Sequence, residues 1–423
     1  MSHHLIDIEI TKGFRAIKES HIHIDGISVI SGINGCGKST ISKLLYSTFK
    51  NTLQFDNLVL DIINKMIMPY IDVLAQMQMQ MSPGLSSRRH VYRWNLRNKE
   101  KKSDYMGRVR DFCDKFLKEE RERTLDDSMM TERMWRILRG AVNDDNSDLS
   151  TLLELLTHNI SEKLDKGYKL FSSRPREVLT RKMSVEFGQP FDDSVMISEY
   201  GDAFIGTNEG MVPLPHYIQQ VVYIDTPMIL GVDLFDGPDY WSDLHDKLKR
   251  PATVEFDKQI YTTLCSDILH GEAQYDDDAY DEFQFKREDG QTFNLFKCAT
   301  GIKSFSILQL LLKNGTIGKN TLLIIDEPEA HLHPQWIVEY ARMVLLLHKG
   351  LGARFLIASH STDFVGAMKE IAVAMGVNEL SFYLAEEVDS MQYKYQDLGD
   401  DVEPIFASFN KSYDKLDSYA KPE

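Results

Sequence analysis

The sequence predicts an α/β fold in which parallel strands carry a phosphate-binding loop and a helical insertion interrupts the core. Three observations predict it. A glycine-rich loop, residues 32–39, stands between an apolar strand and a helix. Two later runs, Leu322-Leu323-Ile324-Ile325 and Phe355-Leu356-Ile357-Ala358, are near-continuously apolar, as in parallel strands covered on both faces. Between residues 50 and 185 the apolar period changes from that of strands to that of helices.

Taken in order, Leu5-Ile6-Asp7-Ile8-Glu9-Ile10 and His21-Ile22-His23-Ile24-Asp25 alternate apolar and polar residues and read as strands. Ile27-Ser28-Val29-Ile30 reads as a buried strand leading into the loop, and Thr40 to Tyr46 has helical spacing. Helical patterns follow in Leu58 to Met81, Tyr105 to Leu117, Met129 to Leu138 and Leu149 to Leu164. They are punctuated by Ser82-Pro83-Gly84 and Asn143-Asp144-Asp145-Asn146. No heptad pattern is sustained, so a long coiled coil is not expected. Strands return at Val195 to Ser198, Ala203 to Gly206 and Val221 to Ile224; the acidic run from Asp276 to Glu282 reads as a solvated loop. The domain expectation is a head from 1–49 and 186–423, with a helical insertion at 50–185.

Composition sets bounds. Of 423 residues 43% are apolar and 26% charged, as in an ordinary folded protein. No run approaches the ~18 apolar residues of a membrane span, and the N-terminus lacks the order of a signal peptide. Cys36, Cys113, Cys265 and Cys298 form no CxxC pair, which argues against a zinc site and a disulfide framework and for a reducing cytoplasm. A net charge of −16 opposes binding of nucleic acid over the whole surface. Residues 85–140, with 16 Lys and Arg against 10 Asp and Glu, are the local exception. Arg88, Arg89, His90, Arg93, Trp94, Arg97, Lys99, Lys101 and Lys102 interleave basic and aromatic groups there. Such a stretch binds nucleic acid or an acidic partner, or is simply a solvated helix face.

The chemistry concentrates in three places. Gly32-x4-Gly37-Lys38-Ser39 is a complete Walker A pattern. Backbone N–H groups of Asn34, Gly35, Cys36, Gly37 and Thr40 would cradle phosphates, Lys38 would reach the β- and γ-phosphates of ATP, and Ser39 would ligate Mg²⁺. The apolar strand ending in Asp326-Glu327 is a Walker B pattern: Asp326 holds Mg²⁺ through water and Glu327 polarises the attacking water. The strand ending at Asp225 is a rival, but Thr226-Pro227 follows it where the glutamate should be. In Ala358-Ser359-His360-Ser361, His360 ends a strand on the ligand side of the sheet, as a γ-phosphate sensor or a capped surface histidine.

These motifs resemble the ATP-binding-cassette (ABC) ATPase superfamily. Ile33-Asn34-Gly35-Cys36-Gly37-Lys38-Ser39 and Gly13-Phe14-Arg15 resemble its chromosome-maintenance and DNA-repair branch, and Asp326-Glu327-Pro328-Glu329-Ala330-His331-Leu332-His333-Pro334 is similar to the small OLD-like ATPases, including the Septu (PtuA-like) and retron-associated anti-phage defence ATPases. The resemblance implies an ABC-type head with an antiparallel β-lobe, and two heads packed head-to-tail around two ATP molecules. It implies a signature loop over the partner's γ-phosphate. LSGGQ is absent; Thr300, Gly301, Lys303 and Ser304 occupy the similar segment, with an ordinary helix cap at Thr300 as the alternative. It further implies a Q-loop glutamine that binds Mg²⁺, for which Gln189 is the candidate against a plain turn glutamine. His331 and His333 would lie in the loop facing the second subunit rather than bind a metal. On function, the resemblance favours a defence ATPase that senses infection and regulates a separate nuclease, since no HNH or TOPRIM-like element is visible. A DNA-repair ATPase acting directly on DNA is the alternative, and a transporter motor is third.

Overall fold

The computed structural model describes residues 4–81, 93–124, 128–206, 209–231, 238–253, 257–276 and 282–410. The chain divides into two compact units. One comprises residues 1–53, 180–208 and 212–423, the other residues 54–179 with 209–211. The helix after the phosphate loop thus stays with the first unit through Leu53, beyond the boundary expected at 49, and the helical unit ends six residues before 185.

Thirteen strands are described. They are β1 (Ile6–Ile10), β2 (Ile17–Ile24), β3 (Ile27–Ser31), β4 (Val195–Glu199), β5 (Asp202–Ile205), β6 (Gln220–Ile224), β7 (Gly271–Asp276), β8 (Glu282–Arg287), β9 (Thr292–Asn294), β10 (Thr321–Asp326), β11 (Arg354–Ser359), β12 (Leu380–Asp389) and β13 (Gln392–Gly399). Ten of them form one sheet in the order β5-β4-β1-β2-β13-β12-β3-β11-β10-β6. From β12 through β3, β11 and β10 to β6 all pairings are parallel. Every residue of β3 and β10 is buried, which explains their unbroken apolar runs. At the other end β5, β4, β1 and β2 pair antiparallel, as do β12 and β13. β1 buries Ile6, Ile8 and Ile10 and turns Asp7 and Glu9 to the opposite face.

The helices of this unit are α1 (Lys38–Leu53), α7 (Asp239–Leu248), α8 (Lys258–Thr262), α9 (Thr300–Lys313), α10 (Pro334–Leu351) and α11 (Thr362–Met375). α9, α10 and α11 pack in one core cluster with the buried residues of β10, β11 and β3. The strands β7-β8-β9 form a separate antiparallel sheet. Its Ala273, Phe283 and Phe285 join the same cluster, and the buried Gln309 of α9 accepts from Ala273 N at 2.5 Å. The acidic run read as a loop therefore begins and ends in strand, at Asp276 and Glu282; residues 277–281 lie outside the described residues.

The helical unit holds α2 (Phe55–Met81), α3 (Lys102–Arg121), α4 (Glu132–Val142) and α5 (Leu149–Ser173), and α6 (Arg176–Phe187) starts in it. Its ends follow local chemistry. Thr131 caps α4 by accepting from Met134 N, Asn143 closes it in the left-handed region, and Asp148 caps α5 through Thr151 N. α5 buries Leu152, Leu156, Ile160 and Leu164, one residue per turn. α2 and α5 approach so closely that a Cβ on Gly167 would lie 2.3 Å from Ile63 Cγ1.

In the basic segment Arg93, Arg97, Lys99 and Lys101 are exposed, but the aromatic group among them is not. Trp94 is buried, its ring tilted at 58° against Phe112 with centroids 4.8 Å apart and under the Arg108 guanidinium, so it offers no platform for a base. Arg108 pairs with Glu100 at 2.7 Å and Lys102 with Asp165 at 2.6 Å. Arg88, Arg89 and His90, like Ser82-Pro83-Gly84, lie outside the described residues.

Two glycines give opposite expectations. Gly107 in α3 has open space around a Cβ, whereas Gly167 has none. Gly107→Ala should therefore stabilise the protein by about 0.5–1 kcal/mol through helix propensity. Gly167→Ala should destabilise it by about 1–3 kcal/mol through overpacking. Urea unfolding of the two variants checks the signs.

Candidate nucleotide site

Because β3, β11 and β10 are adjacent and parallel, their C-terminal ends share one edge of the sheet. The loops that follow them carry the Walker A residues, His360 and the acidic pair.

The phosphate loop is held by close packing. Gly37 has φ 101°, and a Cβ there would come 2.7 Å from Ile17 of β2. Only glycine combines that backbone with that contact. Asn34 and Gly35 form the exposed tip, while Cys36 is fully buried with its Sγ 3.7 Å from the Tyr395 hydroxyl. Lys38 opens α1 and is 6% exposed. Its ammonium donates to Gly32 O at 2.8 Å and Ile33 O at 3.1 Å, which keeps the charge inside the loop, at the positive end of a 16-residue helix. Ser39 is exposed, and Thr40 N donates to Gly37 O at 3.0 Å.

Asp326 ends β10 almost entirely buried. Its Oδ1 accepts from Ser42 Oγ at 2.5 Å and its Oδ2 from Tyr223 Oη at 2.8 Å. Burial raises the proton affinity of this carboxyl above that of an ordinary aspartate, against the opposing pull of hydrogen bonds from Ser42, Tyr223 and Ser39. The contact with Ser39 brings together the hydroxyl and carboxylate expected to serve Mg²⁺. Such an all-oxygen pair fits that hard cation.

Glu327 has φ 50°, in the left-handed region, although its N–H continues the ladder to Ala358 O at 2.8 Å. A non-glycine residue held there stores roughly 1–3 kcal/mol of backbone strain, a cost that concentrates at functional sites. The conformation leaves the carboxylate part-exposed, with Oε1 3.5 Å from His360 Nδ1. Glu329, to which the sequence assigned no role, is buried beside them. Its Oε1 accepts from Ser359 Oγ and His360 N, both at 2.9 Å, and lies 3.4 Å from His360 Nδ1. Its Oε2 is buried with no partner. Glu329 thus ties the His360 turn to the segment after the acidic pair.

Lys38, Ser39, Asp326, Glu327 and His360 therefore meet at one sheet edge, whereas the signature-like residues are more buried than expected. The signature-like segment is not an open loop, because α9 begins at Thr300, after Ala299, which supplies no side-chain cap. Gly301, Lys303 and Ser304 are buried in their own chain. A Cβ on Gly301 would lie 2.4 Å from the Trp336 ring, and Lys303 lies over the Phe296 ring with Nζ 4.0 Å from Met228 Sδ. These residues serve helix packing, so the surface they were to present to a second subunit's phosphate is reduced to Thr300. Gln189 lies on the turn after α6, and the side-chain hydrogen bonds to Asp326 come from Ser42, Tyr223 and Ser39. The nearby Arg15 donates to Phe187 O at 2.7 Å. His333 caps α10 by accepting from Gln335 N at 3.4 Å.

Ser42, Tyr223 and Glu329 were missed. Tyr223 was within reach, since it belongs to the strand whose Asp225 was weighed as a rival acid. β6 in fact pairs with β10, and Asp225 accepts from Trp241 Nε1 at 2.9 Å.

The sheet joins a parallel core to an antiparallel lobe, and its parallel end brings the phosphate-loop pattern, the acidic pair and the strand-end histidine to one edge. A family model described as "AAA domain, putative AbiEii toxin, Type IV TA system" matches residues 255–365. No curated protein matches the sequence. Among solved structures, the SMC head domain from Thermotoga maritima aligns at 11% identity over 94% of this chain and 99% of its own, with a TM-score of 0.36. The Smc head domain of Pyrococcus furiosus bound to the C-terminal domain of ScpA aligns at 10% identity over 100% of each chain, with a TM-score of 0.33. The ADP conformation of an ATP-binding cassette of an ABC transporter aligns at 11% identity over 96% and 95%, with a TM-score of 0.35. Among the described residues no helix is long and apolar enough to cross a membrane.

Tyr223→Phe removes one donor from a buried carboxylate and should cost about 1–3 kcal/mol of stability. Chemical unfolding of the variant beside Tyr46→Phe, whose hydroxyl bonds Asp243 and not Asp326, separates this effect from general loss of a buried hydroxyl.

Proposed function

We propose that this chain binds and hydrolyses ATP with Mg²⁺, and that its nucleotide state controls a separate nuclease effector in defence against phage. The convergence of Lys38, Ser39, Asp326, Glu327 and His360 on one sheet edge carries the catalytic half of this reading. Lys38 exchanges the carbonyls of Gly32 and Ile33 for phosphate oxygens. Ser39 and Asp326 hold Mg²⁺, which when bound neutralises charge on the β- and γ-phosphate oxygens. Glu327, part-exposed and set apart from the buried Asp326, orients and deprotonates the attacking water. His360, fixed through Glu329, reaches the γ-phosphate. Closure of two copies over the nucleotide, with Thr300 at the junction, completes the site.

The defence half rests on the resemblance of the residues after Asp326 to OLD-like ATPases. The toxin–antitoxin wording of the matching family model supports a role in a two-component system that acts on the cell. Cytoplasmic placement follows from that role.

Glu327→Gln should keep ATP binding and lose hydrolysis by about 10²–10⁴-fold, whereas Lys38→Ala should lose binding. Wild-type turnover in Glu327→Gln would overturn the assignment of the base. Purification of the native operon products with mass spectrometry tests the partner: a nuclease is expected, a permease would refute the defence role, and the chain alone with DNA-stimulated hydrolysis would favour repair. The raised proton affinity of Asp326 also has a sign. Its ionised form costs stability as pH rises through the raised value, and Mg²⁺ relieves that cost. Thermal stabilisation by Mg²⁺ and ATP should therefore be full at neutral pH. It should weaken on acidification from a pH above the ~3.9 at which an ordinary aspartate takes up its proton.

A further inference from the structure

A second cluster of ligating side chains lies at the other end of β3. Ile22 and Ile24 of β2 are buried, so alternation sends His21, His23 and then Asp25 to the opposite face. β1 pairs there with Asp7 opposite His23, and His4 precedes it. Asp25 holds the N-terminal segment, since its Oδ1 accepts from Leu5 N at 2.8 Å and its Oδ2 lies 2.7 Å from His4 Nδ1. The His4 and His23 rings stack with centroids 4.0 Å apart and an interplanar angle of 19°. One ligating atom from each of His4, His23 and Asp25 falls within 4.8 Å of the other two.

A further observation points to a ligand. The Tyr383 hydroxyl lies 3.0 Å from His23 Nδ1. With Nδ1–H directed to Tyr383 and to Asp397, whose Oδ2 lies 3.8 Å away, Nε2 keeps its lone pair, the outer-shell arrangement of metal-binding histidines.

We propose that His4, His23 and Asp25 form a site for a divalent transition metal of the zinc class. Two imidazoles and one carboxylate suit zinc and its first-row neighbours rather than magnesium or calcium, and water would complete the coordination. The metal clips the segment before β1 to the β2–β3 turn. The five residues of β3 separate it from the phosphate loop by about 17 Å, so it acts on stability and not on phosphate binding.

The test is titration of metal-free full-length protein with ZnCl₂ against a chromophoric zinc indicator, with thermal unfolding in parallel. One saturable equivalent and a raised unfolding temperature are expected. His23→Gln and Asp25→Asn should each weaken zinc binding by about tenfold or more while ATP binding stays intact. Should His23→Gln or Asp25→Asn fail to fold, His4→Gln, at a part-exposed position, replaces it and should show the same loss. Absence of saturable binding, or affinity retained in His4→Gln, would overturn the site and leave a His4–Asp25 ion pair only.

Discussion

The nucleotide end of the fold depends on one buried carboxylate. Asp326 cannot be ionised out of water without donors, and it takes them from two other elements: Ser39 and Ser42 from the helix after the phosphate loop, and Tyr223 from the outermost parallel strand. The phosphate loop, the acidic strand and its neighbour are therefore positioned against each other by the same group that is to hold the cation. Mispositioning any of the three would strand either the charge or its donors.

Beside this fixed centre the structure places groups that are less tightly held. Glu327 is part-exposed on a left-handed backbone, and His360 stands at the surface. His360 is held by Glu329, through the Ser359 hydroxyl and the His360 amide, with Glu327 Oε1 3.5 Å from its Nδ1. In the proposed reaction one buried carboxylate binds, one part-exposed carboxylate reacts and one buried carboxylate aligns, all within four residues of chain.

What was legible in the sequence was what local pattern dictates. β3, β10 and β11 announce themselves because both faces are covered, and the glycines of the phosphate loop because only they fit its backbone. What was not legible depends on register between distant segments. Nothing near Tyr223 says that its strand lies beside β10, and Glu329 looks like any acid at the start of a helix-bound loop. The sheet of β7, β8 and β9 was hidden because its strands flank an acidic run whose charges suggested a loop. Trp94 looked like a surface aromatic among arginines, although Arg108 packs over its buried ring. Of the donors to Asp326, Ser39 stands in a motif, but Ser42 and Tyr223 do not. The signature-like segment was recognisable as a helix start, but its burial against Trp336 depends on the packing of α9 on α10.

That last contact has a consequence for comparing relatives of this chain. With Trp336 at 2.4 Å from where a Cβ would stand, position 301 is closed to every residue but glycine for steric reasons alone. An unvarying glycine there would be expected in any homologue that keeps the tryptophan, whether or not the segment ever meets a phosphate. Covariation of positions 301 and 336, rather than invariance at 301, is the pattern that would separate a packing constraint from a catalytic one.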